Sequence, residues 1–197
     1  MNPDMPELVL GSSSPYRSEL LEQLQLPFQT CSPDIDESRG TGETPEQLVQ
    51  RLARDKAAAV ARRFPAHCII TGDQVAQAPD GEILGKPGNR ASCIDQLRRF
   101  SGQRVTLPTS LCLHNSASGT WRETLERFTV VFRRLDRSAI ERYVDREEPF
   151  DCAGGFRAEG LGITLFEGFE GRDPNTLVGL PLMALTELLR AEGMQLP

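Results

Sequence analysis

The sequence predicts a mixed α/β protein, on three observations. Apolar runs within ELVLGSS and HCIITGDQVAQ read as strands buried on both faces. Amphipathic stretches with clear start signals alternate with them. The order is interrupted, which fits two lobes better than a plain βαβ array. No repeat, low-complexity tract or long linker divides the 197 residues, so residues 1–197 are read as one domain of two lobes with no separable linker.

Each element has its own justification. After the strand ELVLGSS, Ser14 suits an N-cap and Pro15 the first helical position, with Leu20, Leu21 and Leu24 as the apolar stripe. PFQTCSP reads as a short strand leading into the acidic loop DIDES. Thr44 and Gln47 form a capping-box signature that opens a helix reaching about Phe64. HCIITGDQVAQ is a second buried strand, and Asp80-Gly81 marks a hairpin turn. A helix spans about Arg90 to Phe100. QRVTLPTSLCLHN and WRETLERFTVVFRRL then make an antiparallel pair around the turn NSASG. Asp136 caps the helix DRSAIERYVDREE. CAGGFRAEGLGITLF reads as glycine-rich loop and strand, RDPNT as a turn, and PLMALTELLRAEG as the closing helix.

Composition excludes several function classes. The opening MNPDMPELVL lacks a basic n-region, so it does not read as a signal peptide, and the longest apolar run is too short to cross a bilayer. Five scattered cysteines without a CxxC point to reduced thiols and a cytoplasmic location. Two distant histidines, His67 and His114, argue against a His-based zinc site or a Ser-His-Asp triad. A net charge of −6 argues against a nucleic-acid partner, which needs a basic face. Among 22 basic residues only Lys56 and Lys86 are lysine, and all the rest are arginine. In a chain that prefers Arg, a retained Lys is either chance or a position that needs a compact ammonium on a flexible stem.

Several residues could carry chemistry. Arg17 falls in the first turn of a helix, where a cation opposes the helix dipole. Either it snorkels to a carboxylate such as Glu22, or it joins Ser12, Ser13 and Ser14 in holding an anion at the helix start. Lys56 interrupts the apolar ridge of Leu48, Leu52 and Val60. Either it reaches solvent, or that ridge faces a cavity holding negative charge. Lys86, in LGKPG, reads equally as plain turn surface. Asp73 closes the apolar run Cys68–Gly72, where a carboxylate serves as a base, a metal ligand or an ordinary turn residue. Asp34, Asp36 and Glu37 suit Mg²⁺ or Mn²⁺ by spacing, or form a solvated acidic loop. Cations for phosphates with carboxylates for a divalent metal describe a hydrolase of phosphate esters or anhydrides.

In order along the chain, SSSPYR-SELL, DIDES, RLARDKA, ITGDQV, LGKP, CAGGFRAEGLG and LVGLPL resemble the motifs of the Maf family of nucleotide pyrophosphatases. The resemblance implies an elongated α/β fold related to the inosine-triphosphate pyrophosphatases, with two lobes around a central cleft. It implies hydrolysis of a nucleoside triphosphate, a small-molecule partner, to monophosphate and pyrophosphate with a divalent metal cation as cofactor. It makes Asp73 the proton acceptor, Arg17, Lys56 and Lys86 phosphate ligands together with the serines, and Glu37 a metal ligand beside Asp73. Tyr16, Gln74 and Glu159 look like the branch that hydrolyses 7-methyl-GTP, in which an aromatic residue precedes the arginine. N7-methylation makes guanine cationic, so a tyrosine face and a carboxylate both suit it. The alternatives are a dTTP/UTP or broad-specificity pyrophosphatase, and a non-catalytic regulator of septation, which would not need the full set of cations and carboxylates. Family members are often dimeric, so a homodimer is expected; a membrane partner is not.

Overall fold

In the computed structural model, residues 6–197 are described. The Met1–Met5 part of the opening segment read against a signal peptide lies outside them. The chain divides into two compact units, passing between them at Asp73/Gln74, Pro108/Thr109, Glu126/Arg127 and Val178/Gly179.

The first unit is built on three parallel strands, β1 (Leu8–Leu10), β2 (Phe28–Thr30) and β3 (Cys68–Gln74), in the order β2-β1-β3. Leu8 stands in register with both Phe28 and Cys68. Helix α1 (Pro15–Glu22) starts as expected: Ser14 is the N-cap, and its side chain accepts from the Arg17 N–H. Helix α2 (Pro45–Ala61) carries the full capping box of Thr44 and Gln47. It ends one turn before Phe64. Val9, Ala53, Ala57, Val60 and Ile69 make the core between sheet and α2. Helix α6 (Leu182–Ala191) closes the chain, with Leu185 and Leu189 fully buried.

The second unit contains the hairpin β4 (Ala76–Gln77) and β5 (Ile83–Leu84), paired antiparallel around Asp80-Gly81. What reads as one strand from His67 to Gln77 is thus two, broken at Val75, whose N–H bonds to the Pro108 carbonyl instead. Helix α3 (Arg90–Phe100), capped by Asn89, and helix α4 (Arg137–Glu147), capped by Asp136, pack on a phenylalanine-rich core. Phe132 lies edge-on to Phe156 and Phe166 at centroid distances of 5.4 and 5.1 Å. The long strands β6 (Arg104–Asn115) and β7 (Thr120–Phe132) pair as a hairpin, of which Arg104–Pro108 and Arg127–Phe132 belong to this unit and the rest to the first, and β8 (Phe166–Glu170) lies antiparallel to β7.

Two local readings need correction. Leu161–Leu165 is a 3-10 turn rather than strand, so β8 begins only at Phe166. There the chain closes on itself: a Cβ on Gly162 would lie 2.2 Å from the Arg157 carbonyl oxygen. RDPNT is a turn that also starts helix α5 (Asn175–Val178), because the Asp173 carboxylate accepts from the Asn175 N–H at 2.9 Å.

All five cysteines are free thiols, and only Cys152 is not buried. Burial pushes the Cys68 and Cys93 thiols up to about 11 and Cys112 up to about 12, so they are packing groups and not nucleophiles. No helix among the described residues is long and apolar enough to cross a membrane.

Candidate active site

Lys56 decides the character of the first unit. It does not reach solvent: it is 6% exposed, and its Nζ lies 2.6 Å from Asp73 Oδ1 and 2.8 Å from Glu37 Oε1. Three segments meet on this ammonium. Helix α2 supplies the lysine, the end of β3 supplies Asp73, and the acidic loop after β2 supplies Glu37. Asp73 is 8% exposed. Its burial pushes the carboxyl pKa above the ordinary carboxylate value, while Lys56 and Arg17 pull it back down. A carboxylate held above its ordinary pKa is more basic than one in water, which suits proton abstraction.

The surrounding backbone fixes this geometry. The Thr71 hydroxyl donates to the Ala53 carbonyl at 2.6 Å, tying β3 to α2 one turn before Lys56. Gly72 lies so near its neighbouring strand that a Cβ would stand 2.7 Å from the Ser110 carbonyl oxygen, so only glycine lets Asp73 sit at this depth.

Arg17 resolves toward neither of its two readings on its own. It does not pair with Glu22; its Nε donates to the Gly179 carbonyl at 2.8 Å. Part of its surface reaches solvent, but the guanidinium is packed among protein atoms. That burial lowers its pKa, against Asp73 and Glu37, which raise it. The Ser14 and Ser12 hydroxyl oxygens accept from the N–H groups of Arg17 and Ser14 at 3.4 and 3.1 Å, which leaves both hydroxyl protons to donate. Ser13 is exposed and Tyr16 half-buried.

Sequence reasoning missed two supports of this cluster. Gly179, at φ +106°, aims the carbonyl that holds Arg17; it lies in LVGLPL, a motif of the resemblance to which no role was given. The second is Glu43. Its carboxylate takes the Arg51 guanidinium in a fork at 2.7 and 3.0 Å, and Arg51 Nη2 also donates to the Ser38 carbonyl at 2.9 Å. This clamps the loop beside Glu37. The same fork holds Glu43 down at about 2.

The acidic triplet does not act together as a metal-binding set. Asp36 accepts from the Ser38 N–H at 2.9 Å in a local turn and Asp34 is exposed, so Glu37 alone turns to Lys56. Among the described residues no group of three or more His, Cys, Asp or Glu side chains could hold a metal. Glu37 and Asp73 offer two carboxylates on one ammonium. That donor set fits Mg²⁺ or Mn²⁺, which take one or two carboxylates and complete their shell with water and substrate phosphates.

The remaining candidates belong to the second unit. Lys86 is exposed on a loop whose flanks are fixed: the Gly85 carbonyl accepts from Gly154 N–H and Gly88 N–H donates to the Phe150 carbonyl. The Gln74 side chain donates to the Thr176 carbonyl at 2.6 Å. Glu159 is exposed, with its Oε1 3.6 Å from Arg157 Nε.

The sequence profile described as Maf-like protein matches residues 7–192. The chain belongs to the Maf family. Among curated Maf relatives, the 7-methyl-GTP pyrophosphatase of Pseudomonas aeruginosa is 54% identical over 193 residues, covering 98% of this chain and all of that protein. The 7-methyl-GTP pyrophosphatase of Alcanivorax borkumensis is 55% identical over 197 residues and covers both chains fully. In fold, this Maf chain resembles the Staphylococcus aureus Ham1 protein, with a TM-score of 0.54 at 13% identity over 94% of this chain and 99% of that one. The mixed α/β reading and the family resemblance are both borne out.

Proposed function

We propose that the protein is a nucleoside triphosphate pyrophosphatase that converts 7-methyl-GTP and water to 7-methyl-GMP and pyrophosphate. The hydrolase part of this reading is carried by one observation: a buried ammonium, Lys56, clasps Asp73 at 2.6 Å and Glu37 at 2.8 Å. Burying such an ion cluster is costly and adds little to stability, so its presence at the end of a buried strand points to chemistry. The substrate part is supported by Tyr16, Gln74 and Glu159 and by two full-length relatives that bear that activity in their names.

In the proposed mechanism the Ser12 and Ser14 hydroxyl protons and the Arg17 guanidinium hold phosphate oxygens at the start of α1. Lys56 holds a further phosphate oxygen and pulls the Asp73 pKa down against its burial. Asp73 takes a proton from a water, whose oxygen forms a bond to the α-phosphorus. The α–β bridging P–O bond breaks, and pyrophosphate leaves with that bond's electron pair. A divalent cation held by Glu37 and Asp73 would neutralise charge on the phosphates. Lys86 is assigned to phosphate on its GKP motif and the compactness of its ammonium. Tyr16 stacks on the methylated base, a contact worth about 0.5 to 2 kcal/mol for a cation on an aromatic face, and Glu159 accepts from the guanine edge.

Two measurements test this. Steady-state kinetics with 7-methyl-GTP, GTP, dTTP and UTP should give the highest kcat/KM for 7-methyl-GTP, at least about tenfold over GTP from stacking and charge together. A preference for dTTP or UTP would remove the substrate assignment. Lys86→Arg should lower kcat/KM about tenfold, because the bulkier, planar guanidinium does not fit a position shaped for a compact ammonium. A silent Lys86→Arg variant would show that Lys86 owes nothing to phosphate geometry.

A further inference from the structure

Glu159 stands on no regular element, yet the reading above gives it the most exacting task in the second unit. Its carboxylate has to meet the edge of one base and not another. Something must therefore fix the segment from Arg157 to Leu161, and the structure shows what does.

Glu147, in the last turn of α4, has a side chain only 10% exposed. Its Oε2 accepts from the Leu161 N–H at 2.7 Å, and its Oε1 lies 3.5 Å from the Arg157 guanidinium. Gly160 passes directly over this carboxylate: a Cβ there would lie 2.5 Å from Oε1. One turn earlier on the same helix, the Tyr143 hydroxyl accepts from the Arg157 N–H at 3.0 Å. Positions four apart lie on one helix face, so α4 grips the segment at both ends with Glu159 between them.

The charges matter as well. Arg157 faces two carboxylates, Glu147 at 3.5 Å and Glu159 at 3.6 Å. Without Glu147 the Arg157 guanidinium would lose a competitor to Glu159. An arginine bound to Glu159 would cancel the negative charge meant for a cationic base.

We infer that Glu147 is a positioning residue for base selection: by binding the Leu161 N–H, packing on Gly160 and sharing Arg157, it presents Glu159 to 7-methylguanine. This rests on the reading that Glu159 recognises the base. The test is the ratio of kcat/KM for 7-methyl-GTP to that for GTP, measured on the full chain for wild type, E147A, E147Q, G160A, E147A/G160A and E159Q, each with a melting curve. E147A should lower the ratio about tenfold, mainly through KM for 7-methyl-GTP, with kcat for GTP within about twofold of wild type. E147Q should keep most of the discrimination, because its amide oxygen still accepts from the Leu161 N–H. G160A should reproduce the loss by displacing the Glu147 carboxylate, and should add little in the E147A background. Wild-type discrimination in E147A, or an equal loss toward both nucleotides, overturns the inference while leaving Glu159 its role. Unchanged discrimination in E159Q, or none in wild type, removes the role of Glu159 and the inference with it.

Discussion

Asp73→Asn should lower kcat about a hundred- to ten-thousand-fold, the usual worth of a positioned general base. The loss should appear in kcat and not in KM. Asparagine removes a charge that repels the polyanion and also one that would hold the divalent cation, so the effect on nucleotide binding should be small beside the loss of kcat. The fold should survive, because asparagine keeps an oxygen that can accept from Lys56 Nζ where Oδ1 now lies at 2.6 Å. It also escapes the cost of burying a carboxylate, the effect that raises the Asp73 pKa. Calorimetry should find a melting temperature at or above that of wild type. A variant that turns over at the wild-type rate would show that another group takes the proton.

Lys56→Met should produce the second large effect, and its signature is in pH. Asp73 is pulled down by Lys56 and Arg17 against its burial, so removing the lysine leaves desolvation to dominate. The acid limb of kcat/KM, set by deprotonation of Asp73, should therefore move to higher pH, and activity at neutral pH should fall. Stability should follow the same logic. Removing one partner of a buried pair costs about 3 to 5 kcal/mol when the other stays charged. A carboxylate whose folded pKa exceeds its unfolded value supports the fold fully below the unfolded pKa and withdraws that support as pH rises through the folded one. The melting temperature of the variant should thus fall more steeply with rising pH than that of wild type, above the unfolded carboxyl pKa. An acid limb that moves to lower pH would contradict the electrostatic account of the Lys56–Asp73 pair.

The sequence made the elements legible wherever local chemistry decides them. Ser14-Pro15, the Thr44 capping box and Asp136 each set a helix start through their own side chains, and each helix begins there. Lys56 and Asp73 were legible as anomalies, a charge on an apolar ridge and a carboxylate at the end of a buried strand. What joins them was not, because the partners of functional side chains are distant along the chain. Arg17 meets Gly179 across 162 positions, and no local pattern announces a carbonyl. Glu37 differed from Asp34 and Asp36 only in which way the loop turns, which Arg51 and Glu43 settle from the far side of that loop. LGITLF misled for a related reason: its β-branched residues favour strand, but the close pass of Gly162 over Arg157 bends Leu161–Leu165 into a turn. Glu147 gave no signal at all, since on sequence it is one more charge at the end of an amphipathic helix.

The claim beneath all of this is that water, activated by Asp73, attacks the α-phosphorus. Hydrolysis of 7-methyl-GTP in H₂¹⁸O, with both products weighed by mass spectrometry, tests it most directly. The account predicts one ¹⁸O in 7-methyl-GMP and unlabelled pyrophosphate. Label in the pyrophosphate, or release of orthophosphate in its place, would mean that a different phosphorus is attacked and that the cluster around Lys56 has been given the wrong task.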